Sequence, residues 1–215
     1  MTVCDSAVPR GTVHIVEDDE SQRRALARFV EASGYHVKTY ESADGFLAAP
    51  ATEAPACVIL DLRLPGQSGL DVQQMLAERP EALPVVFLSG YGAVPDSVRA
   101  MKSGAVDFLT KPVDGDVLLS AIGHALARDT QTRSARSRRS ALQERYERLT
   151  SREREVFAHL ISGQLNKQVG FDLGITERTV KLHRHQVLEK MEADSIAELV
   201  RIAADLDIQS VGRVR

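Results

Sequence analysis

The chain has 215 residues, of which 43% are hydrophobic and 27% charged, and its formal net charge is −3, as in an ordinary globular protein. This length exceeds the commonest size of a single domain and predicts two. No apolar run approaches the roughly 18 residues of a membrane span, and no basic flank and apolar core mark a signal peptide, so we expect a cytoplasmic protein with no membrane partner.

Charge and cysteine usage vary along the chain. Residues 1–127 carry a net charge of −7, residues 128–148 carry +4, and residues 149–215 are balanced. An acidic part joined by a basic segment to a neutral part is typical of two domains with different tasks. The two cysteines, Cys4 and Cys57, are too few for a disulfide framework or a cysteine metal cluster.

The first 127 residues alternate between β-rich apolar runs and segments with helical spacing of apolar residues. Strands are predicted at Thr12–Val16, His36–Tyr40, 57–60, Pro84–Leu88 and Val106–Leu109, and helices at Ser21–Ala32, Ser42–Ala49, around Leu70–Leu76, around Val98–Lys102 and at Asp114–Ala127. Five strand–helix alternations predict an α/β fold with a doubly wound, five-stranded parallel sheet.

Polar residues follow several of these strands where each strand ends. Glu17 and Asp18 follow the first strand, Asp61 the third, Ser89 the fourth and Lys111 the fifth. In open α/β sheets, ligands bind outside the carboxyl ends of the strands. Taken singly, the acids could be helix-start residues, Ser89 a turn residue and Lys111 a surface charge. Their repeated occurrence at strand ends favours a common site.

Three carboxylates in one crevice repel one another unless a cation lies between them. Oxygen ligands around a small site favour a hard ion, with Mg²⁺ as the candidate. A hydroxyl from Ser89 and an ammonium from Lys111 would suit the oxygens of a phosphoryl group, and aspartate can accept that group as a nucleophile.

Residues 11–127 closely resemble the receiver domain of two-component response regulators, which has a flavodoxin-like fold. The resemblance rests on Glu17-Asp18, on Asp61 followed by Leu64-Pro65-Gly66, and on Ser89, Phe108 and Lys111-Pro112. It implies that Asp61 is the phosphoacceptor, that Ser89 and Lys111 bind the phosphoryl oxygens, and that Phe108 is the aromatic switch. It implies a Mg²⁺ site made by Asp18, Asp61 and the backbone carbonyl of Arg63, with Glu17 acting mainly through water.

Residues 128–148 form a basic joint without glycine or proline. Ala141, Leu142, Arg145, Tyr146 and Leu149 repeat at helical spacing, which favours a helix continuing from the first domain. The basic residues could add phosphate contacts beside a DNA-binding domain, or they could be an ordinary solvated face. The sequence does not decide between these two roles.

Residues 149–208 are predicted to form an all-α domain of four helices. Thr150-Ser151-Arg152-Glu153 has the form of a capping box, and further helices are predicted at Asn166–Leu173, Glu177–Met191 and Ser195–Asp205. The second and third helices flank a turn that contains Gly174, and the third is basic. This arrangement is the helix-turn-helix pattern of DNA-binding proteins.

The same stretch resembles the LuxR-type output domain, through Leu149–Val156, Gly163, Asn166-Lys167, Ile175 and Thr179–His183. Together the two domains resemble regulators of the FixJ/NarL class. The resemblance directs Lys181, Leu182 and His185 toward base edges, and a lysine and a leucine suit guanine acceptors and a thymine methyl. Lys167, Arg178, Thr179 and His183 are expected at phosphates, and Arg184 is a further predicted DNA-binding residue.

The sequence therefore predicts a phosphorylation-dependent transcriptional regulator and not an enzyme. Its expected partners are a sensor histidine kinase, double-stranded promoter DNA and a second copy of the chain on phosphorylation, with RNA polymerase as a further candidate. A constitutive DNA-binding protein that uses its receiver only to dimerise is the alternative. An aspartyl-phosphate phosphatase is disfavoured, because those enzymes have a second aspartate where this chain has Arg63.

Overall fold

The computed structural model describes residues 10–52, 54–79, 81–90 and 94–211, and Cys4 lies outside them. The chain divides into two compact units, with the boundary between Arg133 and Ser134. Each unit buries its own hydrophobic side chains.

The first unit is a five-stranded parallel sheet with the strand order β2-β1-β3-β4-β5. This confirms the predicted doubly wound fold. Its elements are β1 (Thr12–Val16), α1 (Glu20–Ala32), β2 (His36–Tyr40), α2 (Ala43–Leu47), β3 (Ala56–Leu60), α3 (Gly69–Ala77), β4 (Val85–Ser89), α4 (Val94–Lys102), β5 (Asp107–Thr110) and α5 (Gly115–Glu147).

The sheet has a packed core on each face because the side chains of its strands alternate. Val13 and Ile15 of β1 pack into one cluster, with Leu118 and Ile122 of α5. Val16 packs into the other cluster, with side chains of α2 and α3. Since β1, β3 and β4 are buried along their whole length, their carboxyl ends are held in a fixed register.

Cys57 is the one cysteine among the described residues, and it is a buried free thiol in β3. Burial raises the pKa of this thiol to about 12, with a smaller contribution from the charge of Asp129. Cys57 therefore stays protonated and behaves as a small core residue.

The second unit packs four helices around one core. They are α6 (Ser151–Ile161), α7 (Asn166–Leu173), α8 (Glu177–Met191) and α9 (Ile196–Asp205). Phe157, Val187, Met191 and Leu199 lie at the centre of the core, and Leu142 from the last part of α5 joins them.

The first helix of this unit begins at the predicted capping box. Thr150 accepts the backbone N–H of Glu153, and Glu153 accepts the backbone N–H of Thr150. The Glu153 carboxylate also accepts two hydrogen bonds from Lys190 of α8, at 2.7 and 2.8 Å. Burial opposes the negative charge of Glu153, but Lys190 and the Thr150 contacts outweigh it and lower its pKa.

Helix α5 runs unbroken through the basic joint to Glu147, as the helical spacing of Ala141, Leu142, Arg145 and Tyr146 predicted. One feature differs from the sequence-based expectation. Val117, one of the apolar residues at helical spacing in the helix predicted at Asp114–Ala127, is 49% exposed, and Val98 and Met101 of α4 are exposed as well. No helix in the described ranges is long and apolar enough to cross a membrane.

Candidate phosphoacceptor site and DNA-binding helix

Asp61 follows the central strand β3 at the carboxyl edge of the sheet. Its backbone N–H donates to the Val16 carbonyl, and one carboxylate oxygen, Oδ1, accepts the backbone N–H of Arg63 at 3.0 Å. Gly69 closes the turn behind it, where a Cβ atom would lie 2.4 Å from the Asp61 carbonyl oxygen. Only glycine permits this approach, so the loop holds the Asp61 side chain at the sheet edge.

Glu17 and Asp18 follow β1 at the same edge, but their side chains differ in environment. Glu17 is 4% exposed, whereas Asp18 is exposed. The guanidinium of Arg23 on α1 donates to the backbone carbonyls of Glu17 and Asp18, at 2.7 and 3.1 Å. Arg23 therefore fixes the backbone of the acidic pair.

Lys111 directly follows β5, and its side chain bridges the carboxylates of Glu17 and Asp61. Its ammonium nitrogen, Nζ, donates to Glu17 Oε2 at 2.6 Å and to Asp61 Oδ2 at 2.7 Å. A third donation goes to Oε1 of Gln22 in the first turn of α1, at 2.9 Å. The Lys111-Pro112 peptide bond is cis. Three strand ends thus meet at one ammonium group.

Ser89 and Phe108 lie on the neighbouring strands of the same edge. Ser89 is the last residue of β4 and is 1% exposed, and its carbonyl accepts the backbone N–H of Lys111 at 2.9 Å. The partly buried ring of Phe108 lies 5.9 Å from that of Phe87 in β4. The structure therefore brings the predicted hydroxyl, lysine and aromatic residues to two adjacent strands.

In the second unit, α7 and α8 form a tight helix-turn-helix. Gly174 ends α7 in the left-handed conformation, with φ of 64°, and Thr176 accepts the backbone N–H of Thr179 to begin α8. A Cβ atom on Gly170 would lie 2.8 Å from the Ile175 carbonyl, so a glycine is needed where the turn crosses α7.

One face of α8 is buried and the other is open. Val180, Val187 and Met191 are buried. Leu182 is 56% exposed. Lys181, also exposed, forms an ion pair with Glu177 at 3.3 Å. Among the other predicted DNA-binding residues, three are exposed, namely Lys167, Arg178 and His185. The remaining three are partly exposed, namely Thr179, His183 and Arg184.

Comparison with known proteins identifies both units. Residues 13–123 match the response regulator receiver domain, and residues 147–203 match the luxR family of bacterial regulatory proteins. The chain belongs to the response regulators. It is 44% identical over 194 residues to the response regulator protein TodT of Pseudomonas putida, covering 90% of this chain and 86% of TodT. It is 38% identical over 196 residues to the transcriptional regulatory protein FixJ of Rhizobium meliloti, covering 89% and 94% of the two chains.

Solved structures agree with this assignment. The response regulator StyR is similar with a TM-score of 0.80 and 39% identity, over 90% of this chain and 98% of StyR. Full-length FixJ from B. japonicum is similar with a TM-score of 0.55 and 32% identity, over 94% and 100% of the two chains. This response regulator therefore pairs a receiver domain with a LuxR-type DNA-binding domain, as in other transcriptional regulators of its family.

The acidic site of this response regulator differs from the expected crevice of three carboxylates. Glu17 and Asp61 converge, but Asp18 stays at the surface, and no group of three or more metal-binding side chains is assembled among the described residues. The Lys111 ammonium supplies the positive charge between the two carboxylates. The oxygen donors still fit Mg²⁺ in kind, since carboxylates and a backbone carbonyl are the ligands it prefers.

Charge and burial oppose each other at this edge of the receiver. Burial raises the pKa of the Glu17 carboxyl, and the hydrogen bond from Lys111 works against that rise. Burial opposes the charge on Lys111, but hydrogen bonds to Asp61 and Glu17 outweigh it and raise the lysine pKa. Lys111 is therefore a stable cation at neutral pH.

The basic joint of this regulator has local partners for part of its charge. Arg139 pairs with Asp207 at 2.8 Å, Arg145 with Glu192 at 2.7 Å, and Arg138 with Asp205 at 3.3 Å. Carboxylates of the second unit thus compensate these guanidinium groups. This favours a solvated, ion-paired helix face over a phosphate-binding stripe.

Two contacts at the receiver site were not predicted from the sequence, namely those of Gln22 with Lys111 and of Arg23 with the acidic pair. Both residues lie in the first turns of the helix that follows the acidic pair. Their position next to a predicted strand end is the signal that could have identified them.

Proposed function

We propose that this response regulator accepts a phosphoryl group on Asp61 from a histidine kinase, dimerises, and then binds promoter DNA. The observation that carries the proposal is the convergence of Asp61, Glu17 and Lys111 at one sheet edge, within 2.7 Å of a shared ammonium nitrogen. The LuxR-type domain on the same chain gives the modification an output.

In this proposal the Asp61 carboxylate is the nucleophile. Its Oδ2 attacks phosphorus, a new O–P bond forms, and the bond from phosphorus to the donor breaks, leaving the electron pair with the donor. Arg63 steadies the other oxygen, Oδ1, through its backbone N–H. Lys111 and Ser89 would bind the phosphoryl oxygens, while Asp18, Asp61, the Arg63 carbonyl and, through water, Glu17 would hold Mg²⁺. Mg²⁺ would neutralise the negative charge gathered at the site.

A cleft beside the site is a candidate docking surface for the kinase. A cleft of about 380 Å³ lies beside Lys111 and Glu17, between α1 and the start of α5. Its walls are mostly apolar, formed by Leu26, Phe29 and Leu118 among others. Such a cleft suits the partly apolar surface of a kinase that presents a histidine.

Phosphorylation would act on the opposite side of the site through Ser89 and Phe108. A phosphoryl dianion attracts the serine hydroxyl and leaves a space for the aromatic ring, which shifts an existing equilibrium of β4, α4 and β5. Val94 of α4 is 75% exposed, and Val98 and Met101 of α4 and Val117 of α5 are exposed apolar side chains as well. We propose that these side chains are covered by a second copy in the phosphorylated dimer.

The DNA-binding step would use the open face of α8. Lys181, Leu182 and His185 are the candidates for base contacts in the major groove. Lys167, Arg178, Thr179, His183 and Arg184 are the candidates for phosphate contacts. The exposure of Leu182 supports this role, because an apolar side chain that is not buried in the fold is available for a thymine methyl group.

Substitution of the phosphoacceptor tests this function. Asp61→Asn should take up no phosphoryl group from phosphoramidate in Mg²⁺, because an amide oxygen is a poor nucleophile, while wild type becomes phosphorylated once. Intact-mass spectrometry measures the uptake, and circular dichroism checks that the variant is folded. Equal uptake by both proteins would overturn the site, and no uptake by wild type would favour a constitutive regulator with a structural receiver.

A further inference from the structure

Gln22 is held at the phosphoacceptor site by two separate contacts. Its backbone N–H donates to the side chain of Asp19 at 2.8 Å, which caps α1. Its side-chain Oε1 accepts a hydrogen bond from Lys111 Nζ at 2.9 Å. The cap fixes the backbone of Gln22, and the fixed backbone brings the amide within reach of the lysine.

Gln22 completes the hydrogen bonding of the lysine. A lysine ammonium has three N–H donors, and Lys111 directs them to Glu17, Asp61 and Gln22. The first two acceptors are carboxylates, and Gln22 is the neutral one.

The three acceptors have different fates in the proposed reaction. Asp61 becomes an acyl phosphate, and Glu17 would help to hold Mg²⁺ through water. The amide oxygen of Gln22 carries no net charge and takes no part in either event. It is therefore available to Lys111 before and after the transfer.

We propose that Gln22 is a positioning residue that holds the Lys111 ammonium at the phosphoryl group during transfer to Asp61. This inference deepens the proposed function and rests on it. Without the amide, the third N–H of Lys111 turns to solvent, and the long lysine side chain gains conformations that do not face Asp61. Transfer then slows, although the nucleophile and the metal ligands are unchanged.

The test compares Gln22→Met with wild type. Methionine has a similar length and helix propensity and keeps the backbone cap, but it lacks the amide oxygen. Phosphorylation by phosphoramidate in Mg²⁺ is followed by intact-mass spectrometry, because this small donor needs no kinase contact. We expect the rate to fall by about fivefold, the typical effect of losing one hydrogen bond to a charged group that is partly exposed to water.

Two further measurements separate positioning from a structural effect. Mg²⁺ affinity by calorimetry and the thermal unfolding midpoint should match wild type, since Met alters neither the metal ligands nor the cap. Gln74→Met is the matched control, because Gln74 is an exposed glutamine on α3. It should phosphorylate at the wild-type rate.

The outcomes distinguish this inference from the function on which it rests. A normal rate in Gln22→Met, with wild type phosphorylated, overturns the role of Gln22 alone. A slow rate accompanied by weaker Mg²⁺ binding or a lower unfolding midpoint overturns it too, because the effect is then structural. If wild type takes up no phosphoryl group, the proposed function and the role of Gln22 are both wrong.

Discussion

His14 is a polar residue in the middle of the buried strand β1, and the structure provides partners for both of its ring nitrogens. Nδ1 lies 3.1 Å from the Tyr40 hydroxyl, and Nε2 lies 2.9 Å from the Thr52 hydroxyl. The ring also packs against Tyr40 and Phe46. Burial, aided by the charges of Lys38 and His36, lowers the pKa of His14 from 6.5 to about 4. The folded protein therefore holds His14 neutral.

This shift makes the stability of the receiver pH-dependent. Between pH 6.5 and about 4 the unfolded chain binds a proton at His14 that the folded chain does not. Stability from the neutral ring is thus present above pH 6.5 and is lost as the pH falls toward 4. The loss between pH 7 and pH 5 should be about 2 kcal/mol.

Urea unfolding at pH 7 and pH 5 measures this loss. His14→Gln has a lower free energy of unfolding at both pH values, but its decrease between them should be smaller than in wild type by about 2 kcal/mol, because glutamine does not titrate. His124→Gln, at an exposed histidine of α5, should keep the wild-type decrease. An identical pH dependence in wild type and His14→Gln would contradict the assignment.

At the scale of single residues, the sequence predicted those site residues that lie at the end of a recognisable strand. Asp61, Ser89 and Lys111 follow apolar runs, so their common edge follows from the parallel sheet. The exposure of Asp18 could not be predicted, because two adjacent carboxylates have the same sequence signal. The contacts of Gln22 and His14 depend on residues far away in the chain.

The part of helix α5 just after Ala127 is anchored to the receiver by contacts with residues far away in the chain. Asp129 is 3% exposed, and its carboxylate accepts the backbone N–H of Ala56 at 2.8 Å, where β3 begins. Arg133, one turn further on, donates to the same carboxylate at 2.6 Å. Arg128 donates to the Gly104 carbonyl at 3.1 Å. Residues 128–133 therefore belong to the receiver unit, although the sequence shows only a polar run.

Removal of the Asp129 carboxylate tests this anchor. Asp129→Ala leaves the buried Ala56 N–H without its acceptor and should reduce the free energy of unfolding by about 2 kcal/mol. Thermal or urea unfolding of the full chain measures the loss. Glu144→Ala removes an exposed carboxylate further along α5 and should have little effect. Equal stability of the two variants would show that Asp129 is not an anchor.

Most of the other elements could be predicted because each contains its own start and stop signals. β1, β2, α7 and α8 have the predicted bounds, and the capping box at Thr150 begins α6 where expected. The anchoring of residues 128–133 to the receiver is the exception. A helical stretch that is polar on all sides has no hydrophobic periodicity to show which domain it packs against, so its place is decided by long-range hydrogen bonds.

Over the whole molecule, the charge distribution follows the two units. The acidic first part contains the proposed phosphoacceptor site, and the balanced last part presents Lys181 and its neighbours on an open helix face. In the proposed function, the exposed apolar side chains on α4 and α5 of the receiver would be covered by a second copy. Phosphorylation at Asp61 would then be coupled to DNA binding through assembly of two chains.

The most direct test of this account is the oligomeric state in Mg²⁺ with and without beryllofluoride, a mimic of the phosphoryl group. Light scattering measures the mass of wild type and of Asp61→Asn. Wild type should be a monomer that becomes a dimer with beryllofluoride, whereas Asp61→Asn should stay a monomer. Dimers of both proteins without the mimic, or a wild type whose mass does not change, would contradict a phosphorylation-controlled assembly.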